Sequence, residues 1–371
     1  MSAPRLVMAG GGTAGHLFPC VAVAEEVEAL APEARVRFVG ARGRIDERIL
    51  AERQLSHSLI DARPLPYRPS LEALRGLVAL PRSVGQSRRI IRDCRPHAIF
   101  STGGYVGAAV GLAARIAGVP LVLHASDVTP DRANRLLARW AAAITTVSAE
   151  AAEALSPKAV VTGNPVRAEV ADATPEDAVR ELGIEADLLT ILVTGGSQGA
   201  RRLNTAVIGA LPELLERVGV QVVHLSGSLD YGTLRQEAER LGAPERYHLI
   251  EHLPNPGPAL AAADLAVTRA GAGSLAELCL HGVPMIVVPY PFAGGHQRLN
   301  AEPLAEAGAA VIVEDEQFTA ERLLALVREI LGDEERRRRM AEAALAAARP
   351  SAAAEIAGIL LQVAGAEAAR P

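Results

Sequence analysis

The feature that most constrains this chain occurs twice: an apolar, β-rich run enters a cluster of glycines and leaves it as a helical pattern. LVMAGGGTAGH does so at residues 6–16 and ILVTGGSQGAR at residues 191–201. A strand that turns on glycines into a helix is the opening unit of a parallel sheet covered by helices. The sequence around each loop agrees. β-rich runs at Arg5–Ala9, Val36–Val39, Ala98–Ser101, Leu121–His124, Ala143–Val147 and Ala159–Thr162 alternate with helical periodicity. A second series follows at Thr190–Val193, Gln221–Leu225, His248–Ile250, Leu265–Thr268, Met285–Val288 and Ala310–Val313. The repeat is one of architecture, and 371 residues leave room for two such units. The expected fold is therefore α/β, with two doubly wound parallel-sheet (Rossmann-like) domains facing a cleft. Ligands of open α/β sheets sit beyond the carboxyl ends of the strands, so both glycine loops would border that cleft.

Asn164 and Pro165 favour a turn before a charged, Ala-rich stretch, which puts the hinge there. Pro350 interrupts a helical pattern, and a last helical segment, Ala352–Ala366, is expected to return to the first domain. The expected division is thus 1–163, 164–349 and a C-terminal helix within 350–371.

Charge is uneven. Residues 1–165 carry 20 Lys and Arg against 14 Asp and Glu, a balance of +6, and the remainder carries 18 against 29, a balance of −11. A basic half on an acidic protein suggests that one domain faces an anionic surface such as a membrane. Nucleic acid is not expected, because the basic residues are not interleaved with aromatics, which are only 3% of the chain. Within 68–92, Leu71, Leu74, Leu77 and Val78 fall at helical spacing among Arg68, Arg75, Arg82, Arg88, Arg89 and Arg92. That pattern fits either a core-facing amphipathic helix or a membrane-docking one. No run approaches the roughly 18 uncharged apolar residues of a membrane span, and the N-terminus lacks the zones of a signal peptide. A cytoplasmic location is expected. Cys20, Cys94 and Cys279 form no CxxC pair and read as small buried hydrophobes.

Gly10-Gly11-Gly12-Thr13-Ala14-Gly15-His16 precedes the helical run Cys20–Leu30. Glycines permit close backbone approach, and a helix N-terminus offers unpaired N–H groups to oxygen atoms. As a dinucleotide site the loop is poor, because Val39 leads into Gly40, Ala41 and Arg42 with no acid where a ribose would need one. A tight turn would explain the glycines but not His16. In the second loop Ser197 fits both an N-cap, contributing about 1 kcal/mol, and a phosphate ligand. Arg269–Glu277 is more informative. Ser274 and Glu277 have capping-box spacing, yet a capping box needs neither Gly271 nor Gly273. The other reading gives those glycines to a phosphate and Glu277 to the two ribose hydroxyls of a nucleotide. Ser101-Thr102-Gly103-Gly104-Tyr105 and His124-Ala125-Ser126-Asp127 each follow a strand end. Either is accounted for by a turn, but with His16 they suggest a polar substrate pocket.

Taken in order, GGGTAGHLFP, STGGYVG, LVLHASD, GNPVR, GGSQGARRLN, RAGAGSLAE and HQRLNA resemble the MurG family, the N-acetylglucosaminyltransferases that convert lipid I to lipid II in bacterial peptidoglycan synthesis. The resemblance implies a GT-B fold, UDP-N-acetylglucosamine as donor, an undecaprenyl-diphosphoryl muramyl peptide as acceptor, inversion at the anomeric carbon, and neither metal nor cofactor. It implies a peripheral enzyme on the cytoplasmic side of the membrane. Carried over by residue, Arg167, Ser197, Gly271, Ala272, Gly273, Ser274 and Glu277 form the UDP site. Gln297 and His296 meet the sugar, and Leu253 contacts uracil through its backbone. Thr13, Ala14, Gly15 and His16 lie where acceptor and reacting groups are held, with Tyr105 and Asp127 beside them. His16 is the expected general base and Asp127 the second candidate. Two departures stand out: Ala14 replaces the usual Gly, and HASD stands where the family reads HEQN. Rivals are transfer to another lipid or glycan acceptor, a UDP-N-acetylglucosamine epimerase, and a non-catalytic nucleotide-sugar binding protein.

Overall fold

The structure is a computed structural model and describes residues 3–64, 71–196, 199–242, 244–291 and 296–365; the side chains of 71–75, 77, 217 and 296 lie outside the description. It contains two compact units, Met1–Arg167 with Arg349–Pro371, and Ala168–Ala348. The first unit runs β1 (Arg5–Ala9), α1 (Ala14–Leu30), β2 (Arg35–Ala41), α2 (Ile45–Glu52), β3 (His57–Ile60), α3 (Leu71–Cys94), β4 (Ala98–Ser101), α4 (Gly104–Ala117), β5 (Leu121–Ala125), α5 (Arg132–Leu137), β6 (Ala143–Thr146), α6 (Ala149–Leu155) and β7 (Val160–Val161). The second runs α7 (Ala168–Ala171), α8 (Pro175–Leu182), β8 (Thr190–Thr194), α9 (Arg201–Glu213), β9 (Gln221–Leu225), α10 (Tyr231–Arg240), β10 (Tyr247–Ile250), α11 (Gly257–Ala261), β11 (Leu265–Thr268), α12 (Ala272–Leu280), β12 (Met285–Val287), α13 (His296–Glu306), β13 (Ala310–Ile312), α14 (Ala320–Leu331) and α15 (Glu334–Ala347). The chain then re-enters the first unit as α16 (Ala352–Val363).

Both sheets are wholly parallel, in the orders β3-β2-β1-β4-β5-β6-β7 and β10-β9-β8-β11-β12-β13. Each has its first strand near the middle, so the order reverses beside the first glycine loop, where open sheets bind ligands. Helices on both faces explain why the central strands are continuous apolar runs. On β1, Leu6 and Met8 pack with Leu17 and Val21 of α1 and with Ile356 and Leu360 of α16. Val7 and Ala9 turn to the other face, with Val106 and Val110 of α4 and Leu137 of α5.

Four features differ from the sequence expectation. β3 was not expected: HSLI is short, and only its last residue is buried as it pairs on the outer edge of β2. α1 starts at Ala14 and carries Pro19 inside it, where the missing N–H leaves the Gly15 carbonyl without its helical donor. Cys94 is only half-buried, unlike Cys20 and Cys279. Glu334–Val363 is long and apolar enough by composition to cross a membrane. It is nevertheless two helices, broken around Pro350, and Ile356, Ala357, Leu360 and Leu361 are fully buried in the first unit.

Candidate active site

The loop after β1 is held from below by a carboxylate. Asp46, in the first turn of α2, is fully buried, and its two oxygens accept the Gly12 amide at 2.8 and 2.7 Å while one also accepts the Ala41 amide at 2.7 Å. Gly12 has φ +92, and a Cβ there would come within 2.2 Å of the Tyr105 hydroxyl. Tyr105 therefore lies over the loop. Burial first, then the Asp46 charge, raises the Tyr105 hydroxyl above its ordinary range, with Arg44 opposing, so it stays a protonated donor.

His16, in the first turn of α1, is half-buried. Its Nδ1 lies 3.2 Å from the Thr102 carbonyl oxygen, and the Thr102 hydroxyl donates to the His16 carbonyl at 2.8 Å. A carbonyl can only accept, so this bond requires the proton on Nδ1 and leaves Nε2 as the basic nitrogen. The ring rests on Gly104: a Cβ there would come within 3.1 Å of Nε2. Gly104 has φ +63, and Asp131 fixes it by accepting its amide at 3.0 Å. His16, Thr102, Gly104, Tyr105 and Gly12 are thus one cluster. Thr13 and Gly15 are exposed and Ala14 half-exposed at the start of the same helix.

The loop after β5 divides its residues between structure and surface. His124 is fully buried, with Nδ1 3.0 Å from the Thr145 hydroxyl and Nε2 3.1 Å from Asn164 Oδ1, and Asn164 donates onward to the Ser126 carbonyl at 3.0 Å. Burial draws its pKa down to about 4 against the Asn164 hydrogen bond, so it is a neutral strut. Asp127 is half-buried beyond it. Arg167, the last residue of this unit before the crossing, is buried with its guanidinium 4.0 Å from the centre of the Phe18 ring on α1.

In the second unit the loop after β8 has Gly196 at φ +81 and Gly199 at φ +79, and a Cβ on Gly199 would strike the Ser226 carbonyl at 1.9 Å. α9 starts with Ala200 as its N-cap residue, so its first amides have no side-chain cap. Ser197 lies outside the described residues. Behind the loop the His224, Asn204 and Ser226 groups repeat the His124 circuit. His224 Nε2 lies 3.0 Å from Asn204 Oδ1, Asn204 donates to the Ser226 carbonyl at 3.0 Å, and burial draws His224 down to about 3.

At α12 the capping-box reading fails. Gly271 is the N-cap residue and no side chain caps the helix; Ser274 and Glu277 are inside it. Gly273 has open space where a Cβ would stand, and Gly271 only the Ser274 hydroxyl at 3.9 Å. Neither glycine has a positive φ. Glycine is a common N-cap residue, which accounts for Gly271, but packing and backbone conformation leave Gly273 unexplained, although glycine costs a helix up to about 1 kcal/mol relative to alanine. The loop is held rigidly. Gln297 Oε1 accepts the amides of Ala270 and Tyr290 at 3.2 and 2.9 Å, and Asn300 donates to the Ala270 carbonyl at 3.1 Å. Arg269 donates to the Val288 carbonyl at 3.0 Å and pairs with Asp315 at 2.6 Å. Glu277 is half-buried one turn beyond Gly273, and Leu253 is half-buried in the loop before α11. His296 opens α13, its side chain outside the description.

Residues 6–146 match the N-terminal domain of glycosyltransferase family 28 and residues 190–356 its C-terminal domain. A protein of Clavibacter sepedonicus is 39% identical over 98% of both chains. The chain belongs to glycosyltransferase family 28. The Clavibacter relative is a UDP-N-acetylglucosamine–N-acetylmuramyl-(pentapeptide) pyrophosphoryl-undecaprenol N-acetylglucosamine transferase. The crystal structure of Acinetobacter baumannii MurG, 26% identical, superposes with a TM-score of 0.72 over 97% of this chain and 99% of that one. A putative UDP-N-acetylglucosamine 2-epimerase from Listeria monocytogenes also reaches 0.72, over 97% and 96%, but at 19% identity this shows the fold alone.

Within this family 28 chain, the sequence did not single out Asp46, Asp131, Asn204 and Asn300, which position the loops, and it placed Thr102 in a pocket loop without showing its bond to His16. An acid was sought directly after β2; Asp46 sits one turn later, on α2, and grips the loop's amide. Asn300 lay inside the HQRLNA motif and could have been singled out there.

Proposed function

We propose that this chain is an inverting glycosyltransferase that moves N-acetylglucosamine from UDP-N-acetylglucosamine to the muramyl sugar of undecaprenyl-diphosphoryl-N-acetylmuramyl-pentapeptide, lipid I, giving lipid II. The observation that carries this is the 39% identity, over 98% of both chains, to a transferase whose name states that donor and acceptor. The second unit takes the donor. Ser197 and the Gly271, Ala272, Gly273 and Ser274 turn receive the diphosphate, where the uncapped starts of α9 and α12 offer N–H groups to the charge that grows as UDP leaves. Glu277 accepts the ribose hydroxyls, Leu253 meets uracil through its backbone, and Gln297 and His296 meet the sugar; Arg167, which ends the first unit, is the cation the family resemblance gives to the donor.

The first unit takes the acceptor at Thr13, Ala14, Gly15, Tyr105 and Asp127. The muramyl hydroxyl attacks the anomeric carbon, its proton passes to His16 Nε2, and the bond to the UDP oxygen breaks. The Thr102 carbonyl holds His16 in the tautomer this requires. Asp127 is the alternative base. The enzyme works as a peripheral protein on the cytoplasmic face of the membrane, with the basic first unit toward the anionic surface.

The test is purified protein with UDP-N-acetylglucosamine and a soluble lipid I analogue, read by product mass. Gain of one N-acetylhexosamine supports the reading. Conversion of the donor without acceptor would indicate an epimerase, and tight UDP-sugar binding with no turnover a binding protein.

A further inference from the structure

A hollow of about 1030 Å³ opens in the first unit, lined by Arg42, Arg44, Arg63 and Arg82 together with Asp61, Val78 and Ala79. Its charges are not all spent. Asp61 pairs with Arg42 at 3.1 Å and with Arg82 at 2.9 Å. Arg44 and Arg63 are exposed and have no carboxylate partner among the described residues. The same wall carries Val78, 71% exposed on α3, beside Ala79. Two unspent guanidinium forks against an exposed apolar helix face suit an anion that is joined directly to a hydrocarbon chain. An inorganic anion would gain nothing from the apolar wall.

One wall residue of the hollow also acts on the His16 cluster. Arg44 acts electrostatically on Tyr105, whose hydroxyl lies over Gly12. The Gly12 amide is not open to a second anion, since the buried Asp46 carboxylate already takes it and sets a negative charge behind it. We infer that Arg44 and Arg63 hold the diphosphate of the lipid acceptor, one guanidinium fork to each phosphate, with the first prenyl carbons along Val78 and Ala79. This rests on the transferase reading above, and names the groups that anchor its acceptor.

The test compares wild type with the double variant Arg44→Ala, Arg63→Ala on two acceptors. One is a soluble muramyl-peptide prenyl diphosphate, the other the same muramyl peptide as a neutral alkyl glycoside. The double variant should raise KM for the diphosphate acceptor roughly tenfold or more, leave the donor KM unchanged, and keep kcat/KM on the neutral acceptor within about twofold. Arg44→Lys with Arg63→Lys should recover part of the loss, because charge remains while the fork is gone. Equal losses on both acceptors would show a structural role and overturn the assignment, as would an unchanged KM for the diphosphate acceptor. A wild type that glycosylates neither acceptor would instead overturn the transferase reading, and this inference with it.

Discussion

Two side chains carry the sharpest expectations. His16→Ala removes the proposed base, whose tautomer the Thr102 carbonyl fixes, so kcat should fall by about a hundredfold to ten-thousandfold with the donor KM nearly unchanged. Steady-state kinetics decides it, and full activity would pass the role to Asp127. Glu277→Ala makes a different demand. Because Gly271, not Ser274, is the N-cap residue, no capping box exists to be lost, and the donor KM should rise at least tenfold. A variant that loses only stability would return Glu277 to a structural role. Residue identity in these loops was readable because glycine, histidine and acid each answer a chemical need. Partnership was not readable. Nothing local to RIDER says that Asp46 reaches back to Gly12, or that His124 meets Asn164 across 40 positions.

At the scale of the element, α12 offers a test with opposite signs for stability and function. A Cβ on Gly273 meets open space, so Gly273→Ala should raise helix stability by up to about 1 kcal/mol and yet weaken donor binding, because the methyl stands where a phosphate would approach. Calorimetry of UDP binding beside a thermal melt would show it; unimpaired binding would leave the glycine without a function. α3 is the second such element. Its basic face includes Arg82 and Arg89, both exposed, and charge reversal at both should reduce sedimentation with anionic vesicles while sparing UDP binding. Leu71, Leu74 and Leu77, expected as its apolar stripe, have side chains outside the described residues, as does Arg75; Arg68 precedes the helix, likewise outside them. Twelve of the strands were legible from periodicity and β-branched content, the central ones because helices cover both their faces, the edge strand β7 from its valines although both are exposed. β3 escaped because HSLI has one β-branched residue and no apolar alternation to mark it.

On the scale of the whole molecule, each unit has, among the described residues, one fully buried neutral histidine, and this contributes to its response to acid. His124 and His224 have pKa values drawn from 6.5 to about 4 and about 3. In the unfolded chain both take up a proton near 6.5, so between there and the folded values the unfolded state binds more protons and stability falls as pH falls. The loss approaches about 1.4 kcal/mol per pH unit for each histidine. Denaturation at pH 7 and pH 5 should show both units weakened, and replacing either histidine by Gln should flatten that unit's dependence; equal stability at the two values would refute it. The fold class was legible from sequence alone, because alternation of strand and helix under glycine turns is a local pattern with few global solutions. The motif residues that name the family were legible for the same reason, as short runs in a fixed order. Only the tertiary structure decided which charges are spent and which are not. Asp46 is consumed by the Gly12 and Ala41 amides and Asp61 by Arg42 and Arg82, while Arg44 and Arg63 have no carboxylate partner among the described residues. Spacing along the chain cannot reveal this, because ion pairs and buried hydrogen bonds are settled by which side chains the packed sheets bring within a few ångströms of one another.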